Sequence, residues 1–209
     1  EAMKKFSQDR RYDCIGTVSR LKFFEPCEEV SIVRMHSLDF EEFLWANNLS
    51  SFVLDQVHQA YVSNEQLSLD VHDQMLELFK TYLKVGGMPK AVSTYLSSQD
   101  MSEVRNVQKA IEEGYKSKML MHVLPKERER FLNLHASIPK QIAKGNMRFM
   151  YKDMDEKATH RNYFKNIRYI YRMGWAFVVY KLKSTNFPLI ENTRSESFIF
   201  MIRDVGCLS

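Results

Sequence analysis

The chain has 209 residues, 44% of them apolar, with 30 Lys and Arg against 26 Asp and Glu. That apolar share supports a packed core and excludes wholesale disorder. Its apolar runs, such as Trp175 to Tyr180, stop far short of the roughly 20 residues a membrane-spanning helix needs. The net charge of +4 is mild and does not by itself imply nucleic acid.

Cys14, Cys27 and Cys207 are scattered and form no CxxC pair. Zinc and a disulfide scaffold are therefore not expected, and the unpaired thiols fit a reducing cytoplasm. Glu1 opens a helical pattern without a cap, and Leu208-Ser209 follow an apolar, strand-like run. Both ends read as cut, so a piece of a longer protein is expected.

In chain order, Glu1 to Gln8 reads as the tail of a helix. Arg11 to Thr17 reads as a short strand with a glycine turn at Gly16, and Val30 to Met35 as a second strand. A helix starts after Ser37-Leu38-Asp39, where Ser37 or Asp39 can cap it and Glu41-Glu42 favour its first turn. From Ser50 to Leu134 the period is helical. Phe52, Val53, Val57 and Tyr61 form one stripe; Val71, Met75, Leu78, Phe79, Tyr82 and Leu83 form another. Gly86-Gly87-Met88-Pro89 breaks the chain, with a glycine suited to the helix end and Pro89 to the next first turn. A long helix is expected from Ser102 to Met121, and Pro125 marks the gap after it.

The last third changes character. Ile138 to Ala143 reads as a short helix and Met147 to Tyr151 as extended. Thr159 to Met173 reads as a helix with Tyr163, Ile167, Ile170 and Tyr171 on one face, ended by Gly174. Trp175 to Leu182 and Phe198 to Ile202 read as strands. The fold class is mainly α with short β, an α+β chain.

Catalytic motifs are missing from the sequence. No GxxxxGK[ST], GxGxxG or GxSxG occurs, and Pro89 denies the Gly86-Gly87 turn a run of amides for phosphate. The six histidines show no HxxxH or HxH spacing, so no metal site is expected. Glu41-Glu42 and Glu112-Glu113 are adjacent pairs that diverge on a helix. No catalytic residue is assigned.

The basic signal is local. From Lys140 to Lys183 there are 11 cations against Asp153, Asp155 and Glu156, a net +8. Arg161, Lys165, Arg168 and Arg172 are spaced 4, 3 and 4 apart and form one helical stripe. A helix–helix–strand unit with a basic second helix is what a winged helix-turn-helix presents to duplex DNA. These four are the candidate DNA-binding residues.

Four runs in order carry a resemblance: Leu38 to Leu44, Gly86 to Val92, Ile138 to Ala143, and Phe198 to Gly206. Together they resemble the prokaryotic AAA-type ATPases with a DUF4143 region. The resemblance implies four parts. Residues 1–48 would be the C-terminal remnant of an AAA-type ATPase core and 49–125 a helical lid. Residues 126–185 would be a winged-helix-like segment, and 186–209 the first strand of a truncated C-terminal domain similar to PD-(D/E)XK nucleases. It implies a nucleotide-sensing role for Thr17 and Ser19, near the nucleotide phosphate, and for Arg34, facing a neighbouring site. ATP and Mg are implied for the full-length family and no cofactor for this chain, because the P-loop would lie upstream. The expected function is the C-terminal portion of an ATP-binding ATPase that is not catalytic alone. The alternative is a DNA-binding or protein-interaction module built on the basic stretch. A nuclease is a third reading, but Asp204 alone cannot hold the metal such chemistry requires. Exposed apolar surface and self-association are expected where the missing parts would pack.

Overall fold

The protein is described here by a computed structural model covering residues 15–17, 31, 33 and 35–208. The chain forms two compact units, residues 1–36 and 37–209. In the first, Ile15 to Thr17 are exposed and show no strand, although they end the strand expected from Arg11. The helix expected over Glu1 to Gln8 lies outside the described residues, as do Val30, Ile32 and Arg34 of the strand expected over Val30 to Met35; Ser31, Val33 and Met35 are exposed and show no strand.

The second unit is mainly helical with a small antiparallel sheet, an α+β arrangement. Helix α1 (Phe40–Ala46) starts at a reciprocal cap: the Glu42 amide donates to Asp39 Oδ1 at 2.9 Å, and the Asp39 amide to Glu42 Oε2 at 3.0 Å. Helices α2 (Ser51–Ser63) and α3 (Leu69–Val85) follow. Gly86, at φ 76°, ends α3 in a conformation glycine favours, and Pro89 opens α4 (Pro89–Ser98). Helix α5 (Met101–Leu120) is capped by Asp100, whose Oδ1 accepts from the Ser102 amide at 2.7 Å. Helix α6 (Arg128–Ala143) is entered through a 3-10 turn at Pro125–Glu127. Helix α7 (His160–Met173) begins at Thr159 and stops at Gly174, which is left-handed. Strands β1 (Ala176–Leu182) and β2 (Thr193–Ile202) then pair antiparallel, Ala176 against Ile202 through Tyr180 against Phe198. The register shifts after Tyr180, so Lys181 faces Arg194.

Two apolar clusters hold this unit together. The smaller joins Phe43 of α1, Val85 of α3, Ala91 and Val92 of α4, and Val104 of α5. The larger gathers α5, α6, α7 and the hairpin around Phe131, Leu134, Ile138, Ile170, Trp175 and Phe200.

Several local expectations need correction. Ile138 to Ala143 is no separate short helix; it ends the 16-residue α6, with Pro139 inside. Phe131, Leu134, His135 and Ile138 are buried at helical spacing, and their packing outweighs the hydrogen bond proline forgoes. Met147 to Tyr151 is not a full strand. The Phe149 amide donates to the Phe198 carbonyl at 2.7 Å, and a 3-10 turn takes over at Tyr151. The α2 stripe does not form a core face: Phe52 is 67% and Tyr61 85% exposed, and no α2 residue is buried. In α7, Tyr171 is 54% exposed, while the buried positions belong to Tyr163, Asn166, Ile167 and Ile170.

Candidate nucleic-acid interface and the Asp204 clamp

Helix α7 divides its faces cleanly. Tyr163, Ile167 and Ile170 enter the larger cluster. Asn166 on the same face donates to Glu127 Oε2 at 3.4 Å, and the Tyr169 hydroxyl donates to the Met119 carbonyl at 3.0 Å. Arg161, Lys165, Arg168 and Arg172 all lie on the opposite side and are exposed. None of the four forms an ion pair with a carboxylate among the described residues. Phe164 and Tyr171 flank the stripe, 47% and 54% exposed. Helical spacing explains both faces, since positions 3 and 4 apart align along one side.

The segment before α7 is fixed by a buried amide. Gln141 Nε2 donates to the Met150 carbonyl at 2.9 Å and to Ser137 Oγ at 2.8 Å, and the Met150 amide donates to Gln141 Oε1 at 2.7 Å. Phe149 is thereby set beside β2, where its ring lies 5.0 Å from that of Phe200. The tip of the hairpin after α7 is basic: Lys181, Lys183 and Arg194 are all exposed. Like charges directly opposite, such as Lys181 and Arg194, repel.

A second constellation sits at the turn between α3 and α4. Asp204 is 3% exposed and accepts two backbone amides, Gly87 at 2.8 Å and Gly206 at 2.9 Å. Gln108 Nε2 donates to the Lys84 and Val85 carbonyls, each at 2.9 Å. The Leu38 amide donates to the Gly87 carbonyl at 2.8 Å, and the Tyr82 hydroxyl to the Leu38 carbonyl at 2.9 Å. A side chain on Gly86 would overlap Asp204, and one on Gly87 would overlap the Leu38 carbonyl. The carboxylate thus closes a backbone clamp, with one oxygen on each amide. Its place in the sequence, after an apolar strand, gave no sign of this partner.

Among the described residues, the other buried polar groups form no catalytic couple. His135 stacks on Trp175 with ring centroids 4.0 Å apart, and its Nε2 has no hydrogen-bond partner among the described residues. Burial, then the charge of Lys116, pushes its pKa down to about 4 against a smaller opposing effect of Glu113. Burial pushes the Cys207 thiol up to about 12. Among the described residues no three His, Cys, Asp or Glu side chains converge. The two best-formed pockets each enclose about 210 Å³, open solvent included, one by Trp175 and Asp204 and one by Gln141 and Phe149. That is smaller than usual ligand pockets of about 300 Å³ or more. Of the nucleotide-sensing candidates, Thr17 is exposed, and Ser19 and Arg34 lie outside the described residues.

Comparison with protein families gives one match. The model for a domain of unknown function, DUF8612, covers residues 76–209, more than half of the chain. This chain belongs to the DUF8612 family. No curated protein and no solved structure matches it.

The DUF8612 match overturns the resemblance to AAA-type ATPases with a DUF4143 region. The four runs that carried it have local folding causes. Leu38 to Leu44 holds the reciprocal cap of α1, and Gly86 to Val92 the clamp turn and the start of α4. Ile138 to Ala143 is the end of α6, and Phe198 to Gly206 is strand and clamp. The ATPase-core, lid and nuclease-like assignments rested on that resemblance and go with it.

Among the described residues no helix is long and apolar enough to cross a membrane.

Proposed function

We propose that residues 126–185 of this DUF8612 chain, completed by β2, form a winged-helix-like module that binds duplex DNA through its phosphates. The observation that carries the reading is the face of α7: four exposed cations with no carboxylate partner among the described residues, directly opposite its buried face. The order α6, the Phe149 segment, α7, β1, β2 supports it, because a basic helix followed by a β-hairpin presents both to a groove. The basic hairpin tip adds Lys181, Lys183 and Arg194. Arg161 to Arg172 spans about 16 Å along the axis, long enough to follow several phosphates.

Phosphate contacts release counterions, so affinity must fall steeply with salt. Four contacts give a log–log slope near −3.6, about a 100-fold loss between 50 and 200 mM. Fluorescence anisotropy on a mixed-sequence duplex measures it. Arg168→Ala/Arg172→Ala should weaken binding across all sequences and make the slope shallower by about 2. No binding at low salt, or an unchanged slope in the double variant, refutes the reading.

A further inference from the structure

Charge is distributed very unevenly along this chain. Between His36 and Phe79 there are eight acids, Asp39, Glu41, Glu42, Asp55, Glu65, Asp70, Asp73 and Glu77, and no Lys or Arg. The stretch from Lys140 to Lys183 carries a net +8. The two meet the solvent on two helices, α3 and α7.

Their outer faces match residue by residue. On α3, Val71, Met75, Leu78 and Tyr82 are half-buried, and the opposite side carries Asp70, Asp73 and Glu77, all exposed. Beside those acids stand Leu69 and Leu76, seven residues apart, 79% and 40% exposed. On α7 the basic stripe is flanked by Phe164 and Tyr171, also seven apart, 47% and 54% exposed. Leu69 and Leu76 are each followed by an acid, and Phe164 and Tyr171 each by a base.

We infer that the outer face of α3 docks on the basic face of α7 in a second copy of this chain. An antiparallel alignment sets Asp70 against Arg172, Asp73 against Arg168 and Glu77 against Lys165. It also lays Leu69 against Tyr171 and Leu76 against Phe164, an apolar seam beside an ionic one. Lys84, at the far end of α3, then falls toward Asp155 and Glu156, the exposed acids that precede α7. Glu77 already pairs with Lys80 at 2.7 Å within α3; that pair is solvent-exposed and weak. Different patches meet, so the contact either forms twice about a two-fold axis, as a reciprocal pair, or runs head to tail as a ring or chain. Since it covers the same cations, self-association and duplex DNA compete for α7. The inference rests on the same exposed face as the proposed DNA contact but not on DNA binding itself.

The test is sedimentation velocity on the full chain without DNA. At about 50 mM salt the mass should rise above 24.7 kDa with concentration, and at about 0.5 M it should return to that value. Asp70→Lys/Asp73→Lys and Arg168→Glu/Arg172→Glu should each weaken association at least tenfold. An equimolar mixture of the two variants should recover it, because each then offers the charge the other lacks. A chain that stays at 24.7 kDa at low salt overturns the inference, as does a mixture no better than its parts. The salt series uses the unaltered chain and stands even where a variant fails to fold. A chain that binds duplex yet stays monomeric keeps the DNA reading and sinks this one; a chain that associates but ignores duplex does the reverse.

Discussion

His135 is held by burial rather than by hydrogen bonds. Its ring lies flat on Trp175, and the charges of Lys116 and Glu113 act on it in opposite directions. The folded protein therefore favours neutral imidazole, with a pKa near 4 against about 6.5 in an unfolded chain. The stability this confers is complete above about pH 6.5 and drains as pH falls toward 4, by up to about 3 kcal/mol. Urea denaturation should show a lower midpoint at pH 4.5 than at pH 7, and His135→Phe should flatten that drop. A variant that follows the unaltered protein at both pH values contradicts this account. Cys207 gives a second residue-level outcome. Burial, then the carboxylates of Asp204 and Glu112, keeps its thiol protonated. Alkylation at pH 8, mapped by mass to separate it from Cys14 and Cys27, should be far slower on native than on urea-unfolded chain.

Helices succeed or fail here by what their ends and faces meet. Gly114 lies inside α5, with open space where a side chain would stand. Gly114→Ala should stabilise by about 1 kcal/mol, raising Tm by about 2–4 °C. Gly86→Ala should do the opposite, because the new methyl meets Asp204 and the backbone holds φ at 76°. Differential scanning calorimetry on both variants reads the two signs. Most of α5 and α7 was legible because their caps and breakers, Asp100, Thr159 and Gly174, act within a few residues. The faces were less so. Tyr171 matches the apolar period of α7 yet is exposed, while polar Asn166 is buried because Glu127 receives its amide. No local pattern contains that partner, 39 residues away in the chain.

The unit spanning residues 37–209 contains a large cluster of 14 buried residues and a small one of five. Asp204 ties them, reaching from the end of the hairpin to the α3–α4 turn. Removing the carboxylate takes the acceptor from the buried Gly87 amide, a cost of about 1–3 kcal/mol. Asp204→Ala should therefore lower the midpoint of unfolding and let the small cluster open first. Native-state hydrogen exchange checks this: amides of α4 should lose protection before those of α6. Uniform loss across both helices counts against a clamp.

The sequence by itself determined the helix-rich character, the basic stripe of α7 and the strand periods of the hairpin. Those signals depend on neighbours three, four or two positions away, which any chain carries with it. Tertiary structure alone decided that α6 runs through Pro139, that Asp204 serves a backbone clamp, and that α2 buries nothing. Each depends on partners distant in the chain, where packing and buried hydrogen bonds override local preference.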